Sequence, residues 1–351
     1  MQIKNLKLKN YRNHLDLKLD LDDNFISIIG PNGVGKTNIL ESIYIISTGK
    51  SPRAKYDSDL INYDKNFSTV NAKVTNIDDE FDLEFQIINE GTDHRSRKKV
   101  KVNKVPRTIT YFCGIFNSVL FMPEDIQLIK GPPSERRKYM DSLLTQVDPG
   151  YKKILNTYTK AVKQRNKILE KINKEKRGWD EINYWTVQLL KTGNVLQTKR
   201  AEMFEMLQPQ LNLNSEKING IGKFTEIIYK KNEIDEERFN KYQEREIAAK
   251  TTLIGPHRDD FEIFFDTHPV GEFGSRGQQR SVTLALKLSE IEYIEKKKGE
   301  RPILLLDDIF SELDDKHKEA VMNVIGNQQT IFTSTQTQDF TPKGTLIELG
   351  K

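Results

Sequence analysis

The eight residues Gly30-Pro31-Asn32-Gly33-Val34-Gly35-Lys36-Thr37 constrain this chain more than any other stretch. They match G-x-x-x-x-G-K-[ST] in full, with the apolar run Phe25-Ile26-Ser27-Ile28-Ile29 before them and Asn38-Ile39-Leu40-Glu41-Ser42-Ile43 behind. The order is strand, loop, helix. Glycines let such a loop wrap closely round an anion, so its backbone N–H groups and the helix N-terminus point at phosphate oxygens. Lys36 is expected to reach the β- and γ-phosphates of a nucleotide, and Thr37 to place its hydroxyl on Mg2+.

A chain of 351 residues exceeds one ordinary core, so two lobes are expected. Its 36% hydrophobic and 30% charged residues describe a soluble protein with much exposed surface, not a disordered one. The net charge is only +4, from 55 basic and 51 acidic residues, so any nucleic-acid contact must come from local patches. A single cysteine, Cys113, excludes an intrachain disulfide and a Cys-rich zinc site, and is expected to be buried. The N-terminus lacks a signal-peptide core and no apolar run reaches membrane-spanning length, which points to a cytoplasmic protein with no membrane partner.

Along the chain, Ile3, Leu6 and Leu8, then Leu15, Leu17, Leu19 and Leu21, alternate as a strand pair joined through Asn10-Tyr11-Arg12-Asn13-His14. Short antiparallel strands are expected at 67–70, 81–85 and 100–102, with the basic segment His94-Arg95-Ser96-Arg97-Lys98-Lys99 between the last two. Lys130-Gly131-Pro132-Pro133-Ser134 breaks the chain before a helix. From Tyr151 to Ile172 apolar residues recur every three or four positions, and after Lys176-Arg177-Gly178 a second such pattern runs through Ile182, Trp185, Leu189, Leu196, Met203 and Leu207. These make an antiparallel helical arm, in which Gly193 suggests close helix approach. Residues 212–232 read as irregular and 233–250 as a further helix, after which the sheet resumes. His257 beside Asp259 and Asp260 reads as a turn whose charges pair with each other or with a nucleotide-bound neighbour, rather than as a metal site.

Ile303-Leu304-Leu305-Leu306-Asp307-Asp308 is apolar enough for a strand buried on both faces, with two carboxylates at its C-terminal end, where ligands sit in an open α/β sheet. Asp307 is expected to hold Mg2+ and Asp308 to orient the attacking water. This strand is expected beside the phosphate-loop strand. Ser275 and Gln278, ahead of a helix carrying Leu284, Leu288 and Ile291, have capping-box spacing. The same turn is also a second anion site, meaningful if it meets a γ-phosphate on another subunit.

Together the phosphate loop, Ser275-Arg276-Gly277-Gln278-Gln279-Arg280, and Leu306-Asp307-Asp308 followed by Ser311-Glu312-Leu313-Asp314 resemble an ATP-binding-cassette head of the SMC-related kind. Asn10 to Asn13, Pro123-Glu124-Asp125, Gly131-Pro132 with Arg136-Arg137, Trp185 to Gly193 and Gly255-Pro256-His257-Arg258-Asp259-Asp260 extend this, over essentially the whole chain, to a resemblance to the bacterial RecF family of recombination mediators. The resemblance implies an α/β head of ABC/SMC type with an antiparallel β subdomain, residues 1–125 and 250–351, and an inserted helical arm lobe, residues 126–249. It implies that ATP joins two heads, with Ser275, Arg276, Gly277 and Gln278 of one facing the nucleotide of the other and Asp314 in the loop linking the sites. The nucleotide contacts it implies are Arg12, Asn13 and Gly30 to Asn38; the partners are single-stranded and gapped duplex DNA, RecR, and RecO and RecA in the same pathway, supporting repair and the SOS response. Two departures stand out. Asp308 replaces the usual glutamate, so slow hydrolysis is expected, and Thr333-Ser334-Thr335-Gln336 stands where a switch histidine would, leaving the γ-phosphate sensor unassigned. A transporter ATPase subunit is the alternative reading, against which the arm and Asp308 speak; a small-molecule kinase leaves the Ser275 and Ser311 motifs unexplained.

Overall fold

A computed structural model describes the chain except residues 92–93, 221–223, 312–317, 320, 323–326, 336–343 and 351. The N-terminal alternation folds as β1 (Gln2–Tyr11) and β2 (His14–Asp20), an antiparallel pair. A register shift between Ile3 and Asn5 lets Ile3 and then Leu6 and Leu8 all point inward despite the change of parity. β3 (Phe25–Ile29), buried at all five positions, leads through the phosphate loop into α1 (Lys36–Thr48). β4 (Phe67–Thr75), β5 (Glu80–Asn89), β6 (Ser96–Val102) and β7 (Val105–Arg107) complete a sheet of order β2-β1-β4-β5-β6-β7.

Then come α2 (Ile109–Phe112), β8 (Ser118–Phe121), α3 (Gln127–Lys130) and α4 (Pro133–Val147). The arm is α5 (Pro149–Glu175) and α6 (Trp179–Asn219), reversed through Lys176 and Gly178, both with positive φ. A Cβ on Gly193 would come within 3.2 Å of Tyr158 on α5, the helix approach expected there, and within 2.8 Å of Ile234, which lies outside any helix. α6 carries Pro209 in its interior and continues to Asn219, and β9 (Thr225–Lys230) follows, so the stretch read as irregular is mostly ordered. Its inward polar residues are satisfied by neighbours: Asn214 donates to Ser289 (3.1 Å) and Asn212 accepts from the Thr225 N–H (3.0 Å). Next are α7 (Glu236–Ala249), β10 (Asp260–Phe265), β11 (His268–Pro269), α8 (Val270–Phe273) and α9 (Arg276–Lys298). β10 pairs with β9 and β11 in a small sheet of its own instead of rejoining the sheets before it.

β12 (Ile303–Asp307), β13 (Thr330–Ser334) and β14 (Thr345–Glu348) join β3 and β8 in a parallel sheet of order β14-β3-β13-β12-β8. The phosphate-loop and carboxylate strands therefore share a sheet but are not neighbours; β13 lies between them. Alternate residues of β12 serve opposite cores. Ile303 and Leu305 pack with α1 and the antiparallel sheet, Leu304 and Leu306 with α4, α6 and α9. No described helix is long and apolar enough to cross a membrane.

Candidate nucleotide-binding site

Gly33 and Gly35 hold φ of 82° and 107°, the left-handed conformation that lets the loop curl before α1. Side-chain space matters as much at Gly35, because a Cβ there would lie 2.4 Å from His14 Nε2 and 2.6 Å from Asn13 Oδ1. The β1–β2 turn thus rests directly on the loop. Asn13 Nδ2 donates to the Val34 carbonyl (2.9 Å), His14 Nε2 donates to the Gly35 carbonyl (3.1 Å), and Asn38 donates to Asn13 Oδ1 (2.9 Å). Burial lowers the His14 pKa, which keeps this ring a neutral donor. Arg12, expected at the nucleotide, turns its guanidinium to Glu41 (3.0 and 2.8 Å) and the Asp59 carbonyl (3.0 Å). Glu41, fully buried in α1, thereby ties the turn to the helix.

No side chain caps α1, so its first N–H groups face outward, and Lys36 Nζ lies across the loop on the Gly30 and Pro31 carbonyls (2.7 and 3.1 Å). Thr37 Oγ1 donates to Asp307 Oδ1 at 3.0 Å, across 270 residues of sequence. Thr333, at the end of the intervening β13, completes the arrangement. Its hydroxyl donates to Asp307 Oδ1 (2.8 Å) and accepts the Asp308 N–H (3.0 Å). Burial raises the Asp307 pKa, the two threonine hydrogen bonds opposing it. Asp308 sits in the left-handed region at φ 47°. Thr333 was legible only as a polar residue closing the run Ile331-Phe332; that it braces both carboxylate residues depends on the strand order.

Ser275 forms the expected cap of α9: its Oγ accepts the Gln278 N–H (3.3 Å), and Gln278 Oε1 accepts the Ser275 N–H (2.8 Å). Ser275, Arg276 and Gly277 are exposed. Asp314 lies outside the described residues.

A family model described as RecF/RecN/SMC N terminal domain matches residues 2–348. A protein of Bacillus thuringiensis (strain Al Hakam) named DNA replication and repair protein RecF is 37% identical over 363 aligned positions, covering 99% of this chain and 95% of that one. The chain belongs to the RecF family. A solved structure described as the recombination mediator protein RecF-ATP in the RecFOR pathway matches with a TM-score of 0.91 at 32% identity, over 99% of this chain and 95% of the other. An Smc head of Pyrococcus furiosus, at TM-score 0.51 and 18% identity over 95% and 90% of the two chains, shares the fold alone.

Two RecF-like stretches distant in sequence meet at the root of the arm. Arg136 binds Asp260 through two hydrogen bonds (2.5 and 2.8 Å), and Arg137 donates to the Asp259 carbonyl (3.0 Å). His257 is part of the same joint. Its Nε2 donates to the Thr252 carbonyl (2.9 Å), so Nδ1 accepts from the Tyr158 hydroxyl (2.7 Å), and burial lowers its pKa to about 4. Arg165, on the lysine-rich α5, is buried against Glu246 (2.6 Å) and offers no surface to DNA.

Proposed function

We propose that this RecF-family chain is an ATP-operated DNA-binding switch of recombinational repair and replication, in which ATP joins two heads on DNA and slow hydrolysis releases them. The observation that carries this reading is the meeting of Thr37, Asp307 and Thr333 at one point beside the phosphate loop. Thr37 Oγ1 and Asp307 Oδ1 are hard oxygen donors on one side of the site, a set that fits Mg2+, which takes its remaining ligands from water and phosphate. When bound, the ion offsets the negative charge of the β- and γ-phosphates. Gly30 to Thr37, with Asn38 and Asn13 behind them, cradle the phosphates through backbone N–H groups. Lys36 leaves the Gly30 and Pro31 carbonyls for the β- and γ-oxygens. Asp308 accepts a proton from the attacking water. Being one methylene shorter than a glutamate, it supports slow turnover.

Ser275 and the free N–H groups of α9 serve a nucleotide held by a second copy, and Asp314 joins the two sites. Arg12 acts indirectly, by fixing the Asn13 turn through Glu41. The naming of the relatives and the RecFOR description of the matched structure support partners of that pathway: RecR, with RecO and RecA, on single-stranded and gapped DNA in the cytoplasm.

The test is molar mass by light scattering with and without ATP and Mg2+. Wild type is expected to double its mass only with both, and Ser275→Arg to remain a monomer that still binds ATP. A wild type that binds ATP but stays monomeric would remove the two-headed mechanism. Thr333→Val is expected to weaken Mg2+-dependent ATP binding about tenfold or more, the loss of one hydrogen bond to a charged group. Titrations at several Mg2+ concentrations should show it, with Thr333→Ser close to wild type.

A further inference from the structure

The basic hairpin at residues 94–99 has no aromatic residue in its own sequence, yet the fold supplies one. Tyr56 stacks on His94 with ring centroids 4.2 Å apart and planes 12° from parallel. Both rings reach solvent, Tyr56 at 39% exposure and the His94 side chain at 58%. Lys55 Nζ lies 5.1 Å from the Tyr56 ring centroid. Tyr56 ends the segment Lys50-Ser51-Pro52-Arg53-Ala54-Lys55-Tyr56, which follows the phosphate-loop helix and whose first four residues line a groove of about 460 Å3. On the groove's other wall, Lys138 and Lys152 come from α4 and α5.

Carboxylates line this groove too, but most are already engaged. Glu290 pairs with Lys287 (2.8 Å), Glu135 with Lys138 (2.7 Å) and Asp141 with Arg200 (2.8 Å), while Asp125 lies in the field of Lys287. Lys50, Lys55 and Lys152 have no carboxylate partner among the described residues. Enclosure, then the fields of Lys152, Lys138 and Lys98, lower the Lys50 pKa, with Asp57 opposing them. Arg53 continues the line toward the nucleotide site, donating to Asn38 at 3.4 Å.

Cations without a carboxylate ion-pair partner, close in sequence to an exposed stacked pair of rings, are the kind of arrangement that holds a single nucleic-acid strand: cations for the phosphates, ring faces for a base. We propose that a DNA single strand runs along Lys152, Lys50, Arg53 and Lys55 and stacks a base on the Tyr56–His94 pair. This path rests on the RecF-family reading and assigns it a surface beside the nucleotide site.

The experiment is fluorescence anisotropy of labelled oligothymidylate and of a duplex, with the full chain, ATP and Mg2+, over a series of salt concentrations. Tyr56→Ala should weaken single-strand binding about fivefold to a hundredfold, while Tyr56→Phe stays near wild type. The combined Lys50→Gln, Lys55→Gln, Lys152→Gln variant should reduce the salt slope by about 2, three phosphate contacts at roughly 0.7 each. Unchanged affinity in Tyr56→Ala and unchanged slope in the lysine variant, in a protein that binds DNA, would overturn the path and leave the family reading standing. Equal losses for duplex and single strand in Tyr56→Ala would overturn the single-strand assignment. A wild type that binds neither DNA would refute the DNA-binding reading, and the path with it.

Discussion

Asp259→Ala is expected to cost about 3–5 kcal/mol of folding stability, the range for breaking a buried ion pair on one side only. Asp259 is fully buried and uses both oxygens. Oδ1 accepts from Gln197 Nε2 and the Asn232 N–H (both 2.8 Å); Oδ2 accepts from Arg200 (2.9 Å) and the Tyr229 hydroxyl. Arg200 is 2% exposed and retains Asp141, Tyr151 and the Pro256 carbonyl, so the truncation leaves a half-compensated guanidinium and orphaned donors in a dry joint. Breaking the exposed Lys171–Glu181 pair should scarcely move the unfolding curve, because solvent already screens it. Urea unfolding of the two variants decides the matter. Comparable small losses would show that the Asp259 network does not hold the arm to the head.

Asp308→Asn is expected to slow ATP hydrolysis at least about 100-fold while leaving ATP binding intact, the usual scale for losing a positioned general base. Asparagine keeps the backbone comfortable, since it tolerates the left-handed φ of 47° that this position requires. The main-chain hydrogen bond to Thr333 also survives, because it uses the Asp308 N–H and not the side chain. The ATP-joined dimer should therefore persist for longer. Phosphate release and light scattering on one sample would show both effects, and hydrolysis at the wild-type rate would take the catalytic role from Asp308.

The parts of the site that were legible in the sequence are those whose chemistry is local. The phosphate loop, the Ser275–Gln278 cap and the carboxylates after Leu306 each declare themselves within a few residues. Strand order does not. Nothing in Ile331-Phe332-Thr333 says that this strand inserts between the phosphate-loop and carboxylate strands, and so the bracing role of Thr333 stayed hidden. The end of α6 was obscured for a different reason. Pro209, Asn212, Asn214 and Ser215 look like breakers, yet the last three are tolerated because Thr225 and Ser289 supply their hydrogen bonds. Arg165 illustrates the converse: a cation on a lysine-rich helix reads as surface until Glu246 is found beside it.

The 41 residues of α6 make a rod about 60 Å long at the usual rise per residue. Its C-terminal portion is fastened to α9 through Asn214, which donates to Ser289 and, at 3.4 Å, to Glu292, while its N-terminal portion belongs to the arm. Pro209, unable to donate the helical hydrogen bond at its position, separates the two portions like the pivot of a lever. A tilt of only about 5° about that point carries the far end, some 30 residues away, through roughly 4 Å. Because Gln197 and Arg200, between that point and the tip, hold Asp259 and Asp141, any such tilt would have to carry the Asp259 joint with it.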